Sequence, residues 1–131
     1  MWLATRYGFF SIVCDHGPDG RPSDEWMLVR ARQRRHLTAL RRFHPGLGKV
    51  QRTDTRDYPY RIVARRDVVL LVVARLAVDI DYGNFKDATR DNLPKDHDYV
   101  SFLHTVWDRG RRMTPARDRR FPSFLRYAPT L

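Results

Sequence analysis

The strongest constraint on the fold is a change of period in the apolar residues at Asp67. In the stretch just ahead of it, 58–65, they alternate, and behind it they recur at three and four positions. Residues 8–14, Gly-Phe-Phe-Ser-Ile-Val-Cys, read as a strand whose start reaches back as far as Trp2. Phe10, Ile12 and Cys14 would share one face, and Phe9, Ser11 and Val13 the other. In a second strand, 26–32, Met27, Val29 and Ala31 alternate with Leu28, Arg30 and Arg32. Between them, residues 15–24 are dense in turn formers and read as a long exposed loop. A short strand over 49–53, a turn over 54–57 and a strand over 58–65 follow. In the last of these Tyr60, Ile62 and Ala64 alternate with Arg61, Val63 and Arg65. Pro59 places this strand at an edge or marks its first residue.

Three helices are expected, and a fourth short piece. Leu37, Leu40 and Phe43 or His44 give a helical stripe over 34–44, stopped by Pro45-Gly46. After a cap at Asp67, the residues Val69, Val72, Val73, Leu76 and Ile80 predict a helix over 67–81. The run is rich in valine, but nothing interrupts it and it is too long for a typical strand. Gly83 would break or kink it before a helical piece over 84–90. Asn92-Leu93-Pro94 is a linker. Asp96 or Asp98 would cap a last helix ending near Gly110, with Tyr99, Phe102, Leu103, Val106 and Trp107 as its stripe.

An internal echo supports the same layout. Ala31-Arg32 followed by Leu37 and Leu40 reappears 33 positions later as Ala64-Arg65 followed by Leu70 and Val73. The expected fold is therefore α+β: a four-stranded, mostly antiparallel sheet of two ββα units, backed on one face by two or three helices. Residues 1–110 would form one domain. Residues 111–131 would be an irregular Arg- and Pro-rich tail, ordered only if Phe121, Phe124, Leu125 and Tyr127 dock.

Charge narrows the function classes. The chain has 25 Lys+Arg against 15 Asp+Glu, a formal charge of +10, and only Lys49, Lys86 and Lys95 are lysines. A G+C-rich genome would favour arginine codons but would not set the net charge. The charge is also segregated. Residues 30–42 hold six arginines and no acid, and residues 109–131 hold seven arginines and one acid, Asp118. Residues 79–98 hold six aspartates. Arginine binds phosphate bidentately and stacks on flat rings, and clustered positive charge is the footprint of a polyanion partner. The first functional expectation is a small cytoplasmic, non-enzymatic nucleic-acid-binding or accessory protein. Arg30, Arg32, Arg34, Arg35, Arg41 and Arg42 would contact phosphates, helped by Arg61 and Arg65. Tyr7, Phe9, Tyr58 and Tyr60 are candidates to stack on bases. The same surface would suit an acidic protein partner.

A second class is a metal-dependent nuclease or phosphotransferase using Asp79, Asp81 and Asp87, with His104, four residues before Asp108, as an oriented base. The competing reading of these aspartates is a solvated helix face. Phosphate-loop, dinucleotide-binding, zinc-spacing, serine-elbow and His-Glu-x-x-His signatures are all absent. The five histidines form no ligand pattern, and no cofactor is implied. Cys14 is the only cysteine, so no intrachain disulfide forms; it reads as a buried structural thiol. Residues 1–10 do not read as a signal peptide, because Arg6 lies within the apolar stretch. The longest apolar run, 68–74, falls far short of the roughly 20 residues that span a bilayer.

Several strings taken together carry a resemblance: Met1-Trp2-Leu3-Ala4-Thr5, 8–13 (Gly-Phe-Phe-Ser-Ile-Val), 28–32 (Leu-Val-Arg-Ala-Arg), 57–61 (Asp-Tyr-Pro-Tyr-Arg), 79–87 (Asp-Ile-Asp-Tyr-Gly-Asn-Phe-Lys-Asp) and 104–107 (His-Thr-Val-Trp). They resemble a family of small uncharacterised bacterial proteins over residues 1 to about 107. The resemblance implies a bacterial cytoplasmic domain and carries no activity, cofactor or catalytic residue. Within it, Asp79, Asp81, Asn84 and Lys86 become better site candidates.

Overall fold

The computed structural model describes residues 1–118. The chain runs β1 (Trp2–Thr5), β2 (Gly8–His16), β3 (Pro22–Ala31), α1 (Arg34–Leu40), β4 (Gln51–Arg52), β5 (Tyr60–Arg65), α2 (Arg66–Val78), α3 (Phe85–Asn92) and α4 (His97–Arg111). Single turns of 3-10 helix follow α1 at Arg41–Phe43 and close the described chain at Ala116–Asp118. The fold is α+β: an open antiparallel sheet in the order β1-β2-β3-β5-β4, with four helices packed against it. The expected tail anchors Phe121, Phe124, Leu125 and Tyr127 lie outside the described residues.

The alternation read from the sequence sorts the two faces as expected. Phe10 and Ile12 of β2, Val29 and Ala31 of β3, and Ile62 and Ala64 of β5 point to one side. There they meet Leu37 and Leu40 of α1, Leu47, and Val69, Val72 and Leu76 of α2, all buried. Burying apolar side chains at roughly 1.5–3 kcal/mol each is what drives this layer together. Among the described residues, the opposite face is covered only at one end, where Phe102 of α4 reaches the Phe9 ring at 5.0 Å between centroids.

The sheet has five strands, not four. The stretch expected as one strand folds back on itself, with Thr5 paired to Gly8 across a turn at Arg6-Tyr7. That dipeptide carries no turn signature. The reversal is supported instead by the Thr5 hydroxyl, which accepts from Tyr7 N (3.1 Å) and donates to Gly8 O (3.1 Å). The loop expected over 15–24 is shorter, because β2 and β3 extend to His16 and Pro22. The third expected strand shrinks to the two residues of β4 at the edge. β5 is therefore interior, and Pro59 stands just before its first residue.

Helix boundaries also shift. The helix expected over 34–44 ends at Leu40 and tightens into the 3-10 turn. α2 stops at Val78, and Ile80 is exposed rather than on the buried stripe. Asp67 lies inside the first turn of α2, where its charge suits the helix dipole, and Arg65 takes the cap position. α3 is capped by Asn84, whose side-chain oxygen accepts from Lys86 N and Asp87 N.

The 33-residue echo reappears in the strand register. Val29 pairs with Ile62, the residue 33 positions on, and Ala31↔Tyr60 converts by the same offset into Ala64↔Met27, which is also a pair. The β3–β5 pair is therefore locally two-fold about the Val29–Ile62 pair. In the helices the offset becomes 32. Leu37 and Leu40 correspond to the buried Val69 and Val72, while Leu70 is exposed, because α2 follows its strand one residue sooner.

Gly8 fixes how closely α1 can approach the sheet. Its φ is +151°, and a Cβ there would lie 2.3 Å from His36 Cγ. Gly8→Ala should cost about 3 kcal/mol in urea unfolding, from overpacking and backbone strain together. Gly20→Ala has φ +75° with nothing within 4 Å, and should cost only about 1 kcal/mol. Equal losses would show that the His36 contact does not set the spacing.

Candidate functional site

The register aligns one transverse row across the face that α1 and α2 leave open. Trp2 pairs with Ser11, Ser11 with Arg30, Arg30 with Arg61, and Arg61 with Gln51. Two arginines thus stand directly opposite each other on neighbouring strands, an arrangement that repels. No ion pair neutralises either one among the described residues. Arg30 Nη2 donates to Ser11 Oγ (2.8 Å), and Arg61 Nη2 to Tyr58 O (3.4 Å). Among the described residues the buried Nε atoms of both have no hydrogen-bond partner, nor does the Tyr58 hydroxyl. Arg32 extends the group, although it is paired with the exposed Asp57 at 3.9 Å. Its guanidinium lies 4.2 Å from the Tyr58 ring centroid, and that of Arg30 lies 5.0 Å from it. Tyr58 is buried and serves as the platform on which both cations are held.

Beside this group is a cleft of about 400 Å³ between the sheet and α4. The Trp2, Phe9 and Phe102 rings wall it in an edge-to-face chain, with centroids 5.9 Å and 5.0 Å apart. The buried His36 and Tyr99 form its floor, and the exposed Arg32 and Asp98 stand at its mouth. Trp2 is 74% exposed, an unusual state for a tryptophan within a sheet.

What holds α4 in place is Asp96, 1% exposed. Its carboxylate accepts from His36 Nε2 (2.7 Å), Gln33 Nε2 (3.1 Å) and Tyr99 N (3.2 Å). Arg35 Nη2 lies 2.8 Å from it. Phe9 N donates to His36 Nδ1 at 3.4 Å, so the ring proton resides on Nε2 and points at Asp96. Burial pushes the His36 pKa down and outweighs the carboxylate, leaving a neutral imidazole. Burial alone would raise the Asp96 pKa. The hydrogen bonds from His36, Gln33 and Tyr99 N more than offset it and hold the carboxyl below its usual range. The Tyr99 hydroxyl donates to Thr5 O (2.7 Å) and Gly8 O (3.0 Å), fastening α4 to the first hairpin. With both nitrogens engaged, His36 is a structural group and not a free base.

The eight arginines singled out in the sequence do not share one surface. Arg30, Arg32 and Arg61 form the group just described. Arg65 also belongs to the open face, by its pairing with Trp26, but it is neutralised by Asp67 (3.2 Å) and Glu25 (3.3 Å). Arg34, Arg35 and Arg42 line a shallow groove on the outer side of α1, across the sheet layer, with Arg41 exposed in the following turn. Of the four candidate stacking rings, Phe9 reaches the cleft and Tyr58 lies beneath the arginines. Tyr7 and Tyr60 pack on the core side instead. Trp2 and Phe102 were not singled out. The signal for Phe102 was lost within an ordinary helical stripe.

The acidic candidates are held apart. Arg6 gathers Asp79 (2.9 Å) and Asp81 (2.8 Å), and Tyr7 OH donates to Asp79 at 2.5 Å. These bonds, Tyr7 foremost, keep the Asp79 carboxyl below its usual range. Asp87 pairs with Arg90 at 3.0 Å. His104 is exposed, and Asp108 lies 3.8 Å from Arg112. Among the described residues no three His, Cys, Asp or Glu side chains come together as a metal ion would require. Cys14 is half-buried, not fully buried, with its sulfur 3.4 Å from Arg66 Nη2. No helix among the described residues is long and apolar enough to cross a membrane. The chain matches no protein-family model, no curated protein and no solved structure.

The neutral buried His36 makes stability pH-dependent. In the unfolded chain the imidazole takes up a proton near 6.5, while the folded form resists it. Stability is therefore full above 6.5 and falls as the pH drops below it. Between pH 6.5 and 5.5 the wild type should lose measurable stability in urea unfolding. His36→Gln, less stable throughout, should be flat over the same window. An unchanged wild-type midpoint between these pH values would remove the account.

Proposed function

We propose that the open face of the sheet binds the phosphate backbone of single-stranded nucleic acid and that the protein acts by binding alone. One observation carries the reading: Arg30 and Arg61 face each other across neighbouring strands, and no ion pair among the described residues neutralises either. Like charges so placed destabilise the fold, and a phosphate lying between them relieves the repulsion. Tyr58 prepays the ordering of Arg30 and Arg32, so less side-chain entropy is lost on binding. The surface is a sheet flanked by aromatic rings, which suits unpaired bases better than the grooves of a duplex. A bound strand cannot touch both layers at once. The arginines of α1 therefore stand outside this contact.

Two other readings have less support. A metal-dependent reaction would need Asp79 and Asp81, which Arg6 and Tyr7 already engage. An acidic protein partner would satisfy the charge but leaves the ring-walled cleft without a role.

Fluorescence anisotropy with a labelled single-stranded oligonucleotide over a salt series tests the proposal. Three arginine–phosphate contacts predict a slope of about −2 in log K against log salt. Arg61→Ala should weaken binding several-fold and reduce the slope by about 0.7. Arg34→Ala, on the opposite layer, should change little. Binding that is absent at low salt, or that depends on Arg34 and not on Arg61, would overturn the reading.

A further inference from the structure

We infer that the cleft between the sheet and α4 holds one unpaired nucleobase, with a preference for guanine. The inference deepens the proposed function and rests on it for the source of the base.

Four observations converge on a flat, partly apolar ligand carrying a phosphate. First, the cleft, at about 400 Å³, lies within the range of small-molecule sites and has room for a single nucleotide unit. Second, its walls are rings held by one another and by the backbone. Phe9 lies on β2, Trp2 on the neighbouring β1, and Phe102 on a helix whose start is pinned by Asp96. A wall of this kind loses little freedom when a base stacks on it. Third, Arg32 belongs both to the cleft and to the arginine group around Tyr58. A base in the cleft would have its phosphate directed toward positive charge. Fourth, Trp2 keeps 74% of its surface in water, a cost that a stacking partner would remove.

The choice of base follows from Asp98, the acidic side chain that lines the cleft. A carboxylate accepts hydrogen bonds and donates none at neutral pH. Guanine presents two adjacent donors, N1–H and N2–H₂, which one carboxylate can accept side by side. Adenine and cytosine offer an amino group next to an acceptor. Uracil and thymine flank their single N3–H with two carbonyl oxygens, which a carboxylate repels. Gln33 also lines the cleft and gives one of its two amide N–H groups to Asp96.

Calorimetric titration with GMP and with UMP tests the cleft apart from the polymer. GMP should bind about tenfold more tightly than UMP. Phe102→Leu should lower the GMP affinity about tenfold, and Trp2→Ala should do the same from the other wall. Both side chains are exposed enough that these proteins should unfold at close to the wild-type midpoint, which circular dichroism checks. Asp98→Ala should bring GMP and UMP within twofold of each other. Equal affinities in the wild type, or GMP binding indifferent to Phe102 and Trp2, would overturn the cleft assignment. Oligonucleotide binding that still responds to Arg61→Ala would then leave the sheet-face proposal intact. Conversely, GMP binding that depends on Phe102, in a protein with no salt-dependent oligonucleotide binding, would support the cleft and refute the strand.

Discussion

The buried carboxylate of Asp96 is the interaction on which the arrangement depends. It ties together segments that are distant in sequence: the entry to α1 through Gln33, Arg35 and His36, and the first turn of α4 through Tyr99 N. A charge removed from water at this depth is tolerable because both of its oxygens are hydrogen-bonded and a guanidinium stands beside it. In return, the geometry around it is nearly fixed. His36 fills the space over Gly8, Tyr99 reaches the carbonyls of the first hairpin, and Phe102 is delivered to Phe9. Without that anchor α4 would have only modest apolar contact with the sheet, since Tyr99 and Leu103 are its only buried residues among those described.

The two faces of the sheet answer to different demands. One is a conventional core, closed by α1 and α2. The other carries aligned cations, exposed rings and a cleft, features that cost stability in the isolated molecule. Such conflicts between local chemistry and stability are where binding sites are found in other folds, and here they converge on one end of one face. The Arg6 cluster shows the contrast. There the cation is engaged by Asp79 and Asp81, with Tyr7 donating to Asp79, and the cluster clamps the first hairpin to the end of α2.

Much of this was legible in the sequence. The alternation of Met27, Val29 and Ala31 against Leu28, Arg30 and Arg32 sorted the faces, and it placed Arg30 and Arg61 on the same one. What stayed hidden required contacts between distant residues. The His36–Asp96 pair spans 60 positions and the Arg6–Asp79 pair 73, so neither leaves a local pattern. The reversal at Arg6-Tyr7 was missed because a side-chain hydroxyl and Gly8, not a turn dipeptide, support it. Asp79 and Asp81 looked like candidate ligands because their cation lies so far upstream. The helical half of the echo was misaligned because a single residue is missing before α2, and a shift of one moves Leu70 from core to solvent.

The two-fold relation of β3 and β5 extends in register to the open face, and there the side chains break it. The offset that carries Val29 onto Ile62 carries Arg30 onto Val63 and Leu28 onto Arg61. The charged pair Arg30–Arg61 therefore has an oily counterpart, Leu28–Val63, on the far side of the axis. An exact repeat of the pattern would give two equivalent poles. The face instead has a single electropositive pole, so a linear ligand of the proposed kind, with distinguishable ends, would have one energetically preferred heading.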